Sequence, residues 1–259
     1  MARGRRRPTG ESVTTRVLRV LQAFEGTTAP LTLTQIAQSA ELPLPTAHRL
    51  VGELVEWGAL QKDSMGRYQV GLRLWEVAQL GGRRLRDAAR PYLQDLFSLT
   101  HETAHMAVRE GRDALYVDRV YSSKRVPRAS RVGGRLPLHA TAVGKVLLAH
   151  EETWLQEAYV ATPMHAPTLR THVNGERLLV ELKQIREQGY ATTYEEVRAG
   201  ACSIAVPVLT RTGSAVAALG LSMLSSQATQ MNRHLPVLHG VARRIGSALE
   251  PFAARGATD

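Results

Sequence analysis

The stretch from His101 to His105, "HETAH", contains the two histidines and the glutamate of an H-E-x-x-H motif. In zinc hydrolases this motif lies on one helix, where histidines four residues apart share a face and bind the metal while the glutamate acts as the base. The motif therefore poses the question whether this chain is a zinc metallohydrolase that uses His101, Glu102 and His105.

The residues that follow the motif argue against this chemistry. The helical spacing of apolar residues ends near Thr103, and "MAVREGRDALYVDRVYS", which follows His105, alternates apolar and polar residues as strands do. Histidines on a helix and on a strand cannot be assumed to share a face, and only Asp118 and His139 are loose substitutes for the missing third ligand. We therefore predict no metal, no cofactor and no enzymatic activity, and keep the zinc hydrolase as the less favoured alternative.

The charge of the chain is concentrated near its beginning. The net charge is +10, and residues 1–90 contain 14 basic against 8 acidic side chains, so this third of the chain carries +6. A basic N-terminal region of this kind favours nucleic acid as the partner, although a merely solvated surface gives the same charge.

The composition also limits where the protein acts. The sequence contains no apolar run of about 18 residues, and the arginine-rich start has no apolar segment after it, so we predict a cytoplasmic protein without a membrane segment. The single cysteine, Cys202, cannot form an internal disulfide and lies in an alternating segment without nearby basic residues. We expect it to be a buried core thiol.

The first 72 residues predict three helices and a hairpin. Ser12 is a suitable N-cap for the first helix and Thr34 for the second, and the third helix is expected from Pro45 to Trp57. The segment "ALQKDSMGRYQVG" then alternates around a turn at Gly66. Helix, helix, turn, helix and hairpin in this order are typical of a winged helix-turn-helix domain.

The rest of the chain predicts a different architecture, and the complete fold class is α+β. Several alternating segments follow one another with helical segments between them, which favours an antiparallel sheet covered by helices. A last helix is expected over most of Met231 to Ala254, with Pro236 bending or resetting its start. The predicted boundaries are 10–72 for the winged helix, 73–90 for a linker helix and 91–254 for the sheet domain.

Three motifs in this order resemble the IclR family of bacterial transcriptional regulators. They are "LTLTQIAQSAELPLPTAHRLVGELVEWGAL", "GGRLPLHATAVGKVLLA", and "GYATTYEE" with "CSIAVPV". The resemblance covers nearly the whole chain. It implies a regulator, with repression as the expected sign, whose winged helix binds double-stranded operator DNA. It further implies a GAF-like C-terminal domain that binds a small-molecule effector and assembles the chain into a homodimer or tetramer.

The third helix is the expected recognition helix. Helical geometry places some of its side chains outward in the turns that such a helix inserts into the major groove, and Arg49 suits a bidentate contact to guanine. Side chains of the second helix and the wing are expected at the DNA backbone. The predicted DNA-binding residues are Ser39, Pro45, Thr46, His48, Arg49, Lys62 and Arg67.

The resemblance also implies an effector cavity. Its expected residues are Arg125, Arg128, Leu136, Ala142, Val143, Thr193, Ala201, Ser203, Gly220 and Ser222. The family often has small or apolar residues at the two arginine positions and an acid where Thr193 stands. Two arginines and no acid favour a carboxylate ligand, with aromatic acids among the candidates, which hydroxyl groups would orient. The alternatives are a solvated basic loop "SSKRVPRASR" and an activator without any small-molecule ligand.

Overall fold

The computed structural model of the chain describes residues 11–25, 27, 29–80, 83–121, 126 and 131–253. The chain divides into two compact units, with the boundary between residues 81 and 82. This boundary falls inside the segment 73–90 for which the sequence predicts a linker helix. In the described part of the chain, no helix is long and apolar enough to cross a membrane.

Unit 1 is the predicted winged helix-turn-helix. Its elements are α1 Val13–Gln22, α2 Leu33–Ser39, α3 Leu44–Trp57, β1 Leu60–Lys62, β2 Tyr68–Val70 and α4 Leu72–Leu80. Strands β1 and β2 pair in an antiparallel hairpin. Gly66 in the turn between them has a φ of +76°, a conformation that side chains with a Cβ atom disfavour.

The helix ends of unit 1 follow from local hydrogen bonds. Oγ of Ser12 accepts from the backbone N–H of Thr15 at 3.0 Å and caps α1, as the sequence predicts. The prediction of Thr34 as the cap of α2 is wrong, because Thr32, two residues earlier, is the cap and forms a reciprocal capping box with Gln35. Helix α3 begins one residue earlier than predicted and has Pro45 in its first turn.

A small apolar core fixes the orientation of α3. Buried side chains from helices α1 to α3, from the residues just after α1 and α2, and from both strands of unit 1 meet in this core. They are Val20, Phe24, Ile36, Ala40, Leu50, Val51, Leu60 and Tyr68. Because α3 contributes Leu50 and Val51 to the core, the opposite side of the helix faces away from it.

Unit 2 contains one six-stranded antiparallel sheet. Its elements are α5 Arg83–Thr100, β3 Thr103–Glu110, β4 Asp113–Val120, β5 Arg135–Pro137, α6 Ala142–Ala149, α7 Thr153–Val160, α8 Gly175–Gln188, β6 Ala191–Tyr194, β7 Ala201–Leu209, β8 Ala215–Leu224 and α9 Leu235–Ala253. The strand order is β5-β4-β3-β8-β7-β6. The predicted α+β class with a helix-covered antiparallel sheet is confirmed.

The last helix begins later than the sequence suggests. The expectation of helix from Met231 onward is wrong in detail, because Ser225–His234 forms a 3₁₀ helix and α9 begins at Leu235. Pro236 therefore lies in the first turn of α9, where its missing N–H removes no helical hydrogen bond.

The sheet is covered on both faces. One face packs against α5 and α9 around Leu93, Met106, Val206, Leu219 and Leu238. The other face packs against α6 and α8 around Ala107, Val143, Leu182, Ala205 and Ala218. Alternate residues of one strand therefore belong to different cores, and the face beside α6 is the one that holds the cavity described below.

Candidate nucleic-acid interface and ligand cavity

The outer face of α3 presents the predicted recognition residues. Pro45, His48, Arg49 and Gly52 are exposed and Thr46 is half-buried, as the helical spacing predicts. The first two turns of α3 therefore offer a hydroxyl, an imidazole and a guanidinium on one surface, which is the chemistry needed to contact base edges and phosphates.

Arg49 has a partner on its own helix. Its Nη1 lies 2.5 Å from Oε1 of Glu53, one turn further along α3, and both side chains are more than half exposed. An exposed pair of this spacing is weak and exchanges readily with other partners. A contact with DNA through Nη1 of Arg49 would compete with this ion pair, while the other N–H donors of the guanidinium can act beside it.

The residues predicted to contact the DNA backbone lie at the ends of helices and strands or directly beside them. Ser39 is exposed at the last position of α2, and Lys62 is exposed at the end of β1 with Nζ 5.5 Å from the ring centre of Tyr68. Nε of Arg67 is held 2.9 Å from Oδ2 of Asp63 across the hairpin turn. Hydrogen bonds from the backbone and side chain of Arg67 lower the pKa of Asp63. Lys62 therefore has the freer side chain of the two wing cations.

The H-E-x-x-H residues do not share a helix face. Helix α5 ends at Thr100, His101 has a φ of +54° and is exposed, and β3 begins at Thr103. Oε1 of the buried Glu102 accepts from Nε2 of Gln227 at 3.0 Å. Nowhere in the described segments do three or more His, Cys, Asp or Glu side chains gather as a metal site would require.

A cavity lies between the sheet and the start of α6. It is partly open to solvent, and both polar and apolar side chains line it, as is common in small-molecule sites. Residues from strands β3 to β8 and from the loop after β6 line it. The lining residues are His105, Tyr116, Arg119, Leu136, Thr141, Ala142, Thr193, Glu196, Val197, Arg198, Ala201, Ser203 and Ser222.

The structure brings together six of the ten residues expected at the effector site. Leu136, Ala142, Thr193, Ala201, Ser203 and Ser222 all line this cavity. Val143 and Gly220 lie behind the lining, since a Cβ atom on Gly220 would be 2.6 Å from Nε2 of His105 and 3.0 Å from Val143. Arg125 and Arg128 lie outside the described residues.

Sequence reasoning missed the charged residues of the cavity. His105, Arg119, Glu196 and Arg198 were not expected there, although all four line it. Alternation in β3 and β4 could have shown that His105 and Arg119 share a face with Tyr116, allowing for the bulge after Met106. It could not have shown which face bears the cavity, because both faces are covered.

His105 and Arg119 are directly paired across β3 and β4. Both are almost completely buried, with 2% and 5% of their surface exposed. Burial and, to a smaller extent, the nearby Arg119 charge lower the pKa of His105 to about 3. The imidazole is therefore neutral at physiological pH, and Nδ1 makes no hydrogen bond to any described residue.

A buried ion cluster borders the cavity at the loop after β6. Nζ of Lys145, a fully buried side chain of α6, lies 2.8 Å from Glu181 and 2.9 Å from Oε1 of Glu196. Burial raises the pKa of Glu196, and the Lys145 ammonium opposes that shift. Oε2 of Glu196 is buried and has no hydrogen-bond partner among the described residues.

Cys202 does not contribute to either site. It is buried, and its Sγ donates to the backbone oxygen of Leu224 at 3.2 Å, as expected for a core thiol. Burial raises its pKa to about 11, so the thiol is not ionised at neutral pH.

Family profiles match both units of the chain. The "IclR helix-turn-helix domain" matches residues 13–64, and "Bacterial transcriptional regulator IclR C-terminal" matches residues 77–247. The chain belongs to the IclR family. Among IclR relatives, it is 35% identical to the transcriptional regulator XynR of Escherichia coli, over 82% of this chain and 86% of that protein. It is 34% identical to the Pca regulon regulatory protein of Pseudomonas putida, over 89% and 81% respectively.

Solved structures of the IclR family have the same fold. An IclR homologue of Microbacterium hydrocarbonoxydans, complexed with 4-hydroxybenzoate, superposes with a TM-score of 0.87 at 32% identity and covers 93% of this chain and all of that one. The protein is thus a DNA-binding transcriptional regulator of the IclR type, with a winged helix-turn-helix domain and an IclR effector-binding domain. No similarity supports the hydrolase alternative.

Proposed function

We propose that the protein is a repressor that binds operator DNA through the exposed face of α3 and the β1–β2 wing. The observation that carries this proposal is the exposure of Pro45, His48 and Arg49 on the first turns of α3, opposite the core of unit 1. Ser39, Thr46, Lys62 and Arg67 would hold the phosphate backbone on either side of the groove. The repressor AllR of Escherichia coli, 32% identical over 93% of this chain, supports the sign of regulation.

The proposed signal is a small organic acid bound in the cavity of unit 2. Tyr116 and His105 place two rings 5.4 Å apart in the cavity wall, and Leu136 and Ala142 add apolar surface, so a planar ring fits this lining. Arg119 supplies the positive charge that a carboxylate needs. The 4-hydroxybenzoate in the related structure supports an aromatic acid as the first compound to test.

An effector regulates only if it binds the DNA-competent and incompetent states with different affinity. Paired half-sites in DNA require at least two winged helices, so we propose a homodimer as the smallest active form, with a tetramer as the alternative. A protein that acts on the chromosome in this way belongs in the cytoplasm.

A gel-shift experiment tests this function directly. The full-length protein is titrated against the DNA upstream of its own gene, with and without millimolar 4-hydroxybenzoate. We expect a specific complex that withstands excess unrelated DNA and weakens when the acid is added. Equal affinity for unrelated DNA would contradict the operator function, and a complex that no tested acid alters would contradict the acid as effector.

A further inference from the structure

We propose that residues 1–10, here called the arm, bind the minor groove of A·T-rich DNA next to the major-groove site proposed for α3. The arm precedes α1, lies outside the described residues, and contains no acidic side chain. Its four basic residues are Arg3, Arg5, Arg6 and Arg7. This inference rests on the proposed operator binding and adds a second contact with the DNA, in the other groove.

The winged helix itself has no excess of positive charge with which to attract DNA. Residues 11–80 contain six basic and seven acidic side chains, a net charge of −1, whereas the arm carries +4. Neutralisation of phosphates by cations supplies almost all of the sequence-independent attraction to DNA. The winged helix therefore needs positive charge from a neighbouring segment, and the arm is joined to it directly. The arginines at the start of α5 are the other local source, but α5 belongs to unit 2.

Half of the cations in the winged helix are paired with carboxylates. Arg49 is paired with Glu53, Arg67 with Asp63, and Arg19 with two glutamates. Each pair has little net charge, and a phosphate must compete with the carboxylate for the guanidinium. The arm has arginines and no carboxylate, so its whole charge is available to DNA.

The structure fixes where the arm joins unit 1. The guanidinium of Arg19 lies 3.0 Å from Glu11 and 2.8 Å from Glu41, so these two glutamates are held side by side. Nη2 of Arg16 also donates to the backbone oxygen of Glu11 at 2.7 Å. Glu41 lies in the turn between α2 and α3. The arm therefore begins beside the turn that leads into the recognition helix.

From this position the arm is long enough to reach the next groove. Its four arginines precede Glu11 by four to eight residues. An extended chain spans about 3.3 Å per residue, so these arginines can reach roughly 13 to 26 Å from Glu11. Pro8 favours an extended chain because it disfavours helical backbone at Arg7. The minor groove follows the major groove by about half a helical turn, or about 17 Å along the DNA axis, which is within this reach.

Arginine is the basic side chain that suits a minor groove. Its guanidinium is more weakly hydrated than an ammonium, and the narrow minor groove of A·T-rich DNA has an enhanced negative potential that attracts inserted arginines. In homeodomains, arginines of the segment before the first helix reach into the minor groove beside the recognition helix. All basic residues of the arm are arginines. A segment that contacts only phosphates would work equally well with lysines, and this difference provides the test.

Two matched variants of the full-length protein separate the minor groove from the phosphates. In one, all four arginines of the arm are replaced by alanine; in the other, they are replaced by lysine, which keeps the charge. Fluorescence anisotropy at several salt concentrations measures binding to the DNA upstream of the gene. The alanine variant should bind about 10- to 100-fold more weakly, and the slope of log affinity against log salt should fall by up to about 3.6, which is 0.9 for each arginine. Unchanged affinity of the alanine variant would overturn the proposal.

Base analogues in the DNA that flanks the footprint identify the groove. Inosine–cytosine pairs present the major groove of G·C but lack its amino group in the minor groove. The wild type should bind A·T and inosine–cytosine flanks equally and G·C flanks about threefold or more weakly, whereas the alanine variant should bind all three alike. The lysine variant should keep most of the salt slope and lose most of this preference. Inosine–cytosine flanks that behave like G·C flanks, or a lysine variant equal to the wild type in preference, would overturn the minor-groove assignment.

The arm and the operator function can fail separately. A specific complex in the gel shift that the alanine variant forms equally well contradicts the arm alone. If the wild type forms no specific complex, the operator function is contradicted, and two unrelated duplexes, one A·T-rich and one G·C-rich, decide about the arm. The wild type should then prefer the A·T-rich duplex about threefold or more and the alanine variant neither duplex, and equal binding of both duplexes by the wild type would overturn the proposal. Thermal unfolding of both variants, expected to match the wild type, checks that unit 1 is folded.

Discussion

Nη1 of Arg90 on α5 lies 2.6 Å from Oδ1 of Asp118 on β4, and this ion pair ties a helix on one face of the sheet to the strand that lines the cavity on the other. Asp118 is fully buried, and its Oδ1 also accepts from the backbone N–H of Arg119 at 2.8 Å. Consecutive side chains of a strand point to opposite faces. Arg119 of β4 therefore lines the cavity, while the adjacent Asp118 binds Arg90 of α5 on the other face.

The Arg90–Asp118 pair should be asymmetric in its effect on stability. Arg90→Ala leaves the buried carboxylate of Asp118 without its charged partner, so we expect a loss of about 3–5 kcal/mol in the free energy of unfolding. Asp118→Asn removes the buried charge and leaves a partly exposed guanidinium, so we expect a loss of only about 1 kcal/mol. Denaturant unfolding of both variants measures the difference. Equal losses would mean that the carboxylate is not stabilised by Arg90.

Arg49→Ala should reduce operator affinity by about 1–3 kcal/mol and relax the base preference at one position of each half-site. The reason is the loss of a bidentate contact to a base edge, which no neighbouring side chain of α3 replaces. Fluorescence anisotropy with a set of single-base operator variants measures both effects.

Glu53→Gln is the matched control for Arg49. It frees Arg49 from the 2.5 Å ion pair and removes a negative charge near the phosphates, so operator affinity should stay equal or rise. An Arg49→Ala variant with unchanged affinity and footprint would contradict the assignment of Arg49 to base contact.

Lys62→Ala should weaken binding to all DNA sequences alike. A wing cation that neutralises one phosphate releases about one counterion, so the slope of log affinity against log salt should fall by about 0.9. Arg67→Ala should give a similar change, reduced to the extent that Arg67 stays paired with Asp63 on DNA. Titrations at several salt concentrations with operator and unrelated DNA measure the slopes, and a sequence-specific loss would contradict a backbone role.

His105 should make the protein less stable in acid. Its pKa in the folded protein is about 3, against about 6.5 when unfolded, so its contribution is complete above pH 6.5 and is lost as the pH falls from 6.5 towards 3. The slope contributed by this group is at most about 1.4 kcal/mol per pH unit. His105→Asn should remove that part of the slope, although burial also lowers the pKa of His139 and His150. If the free energy of unfolding of His105→Asn and of the wild type changed in parallel between pH 6.5 and 3, His105 would not be the source of this acid sensitivity.

Local patterns in the sequence were sufficient for the winged helix. Capping residues, two prolines and a hairpin glycine fix the element ends of unit 1, and the apolar stripe of α3 fixes its exposed face, because short-range geometry decides each of these. The one wrong cap, Thr34, arose because Thr32 and Thr34 stand two residues apart and either threonine could cap the helix. Only the position of Gln35 distinguishes them.

The sequence by itself determined the fold class, the exposed residues of α3 and the family, because each is encoded in residues close together in the chain. The tertiary structure alone decided that His105, Arg119 and Glu196 face one cavity, and that Val143 and Gly220 lie behind it. The physical reason is that strand alternation only assigns a residue to one of the two faces of the sheet. The pairing of β3 with β8 and the packing of α6 decide which of these faces borders the cavity.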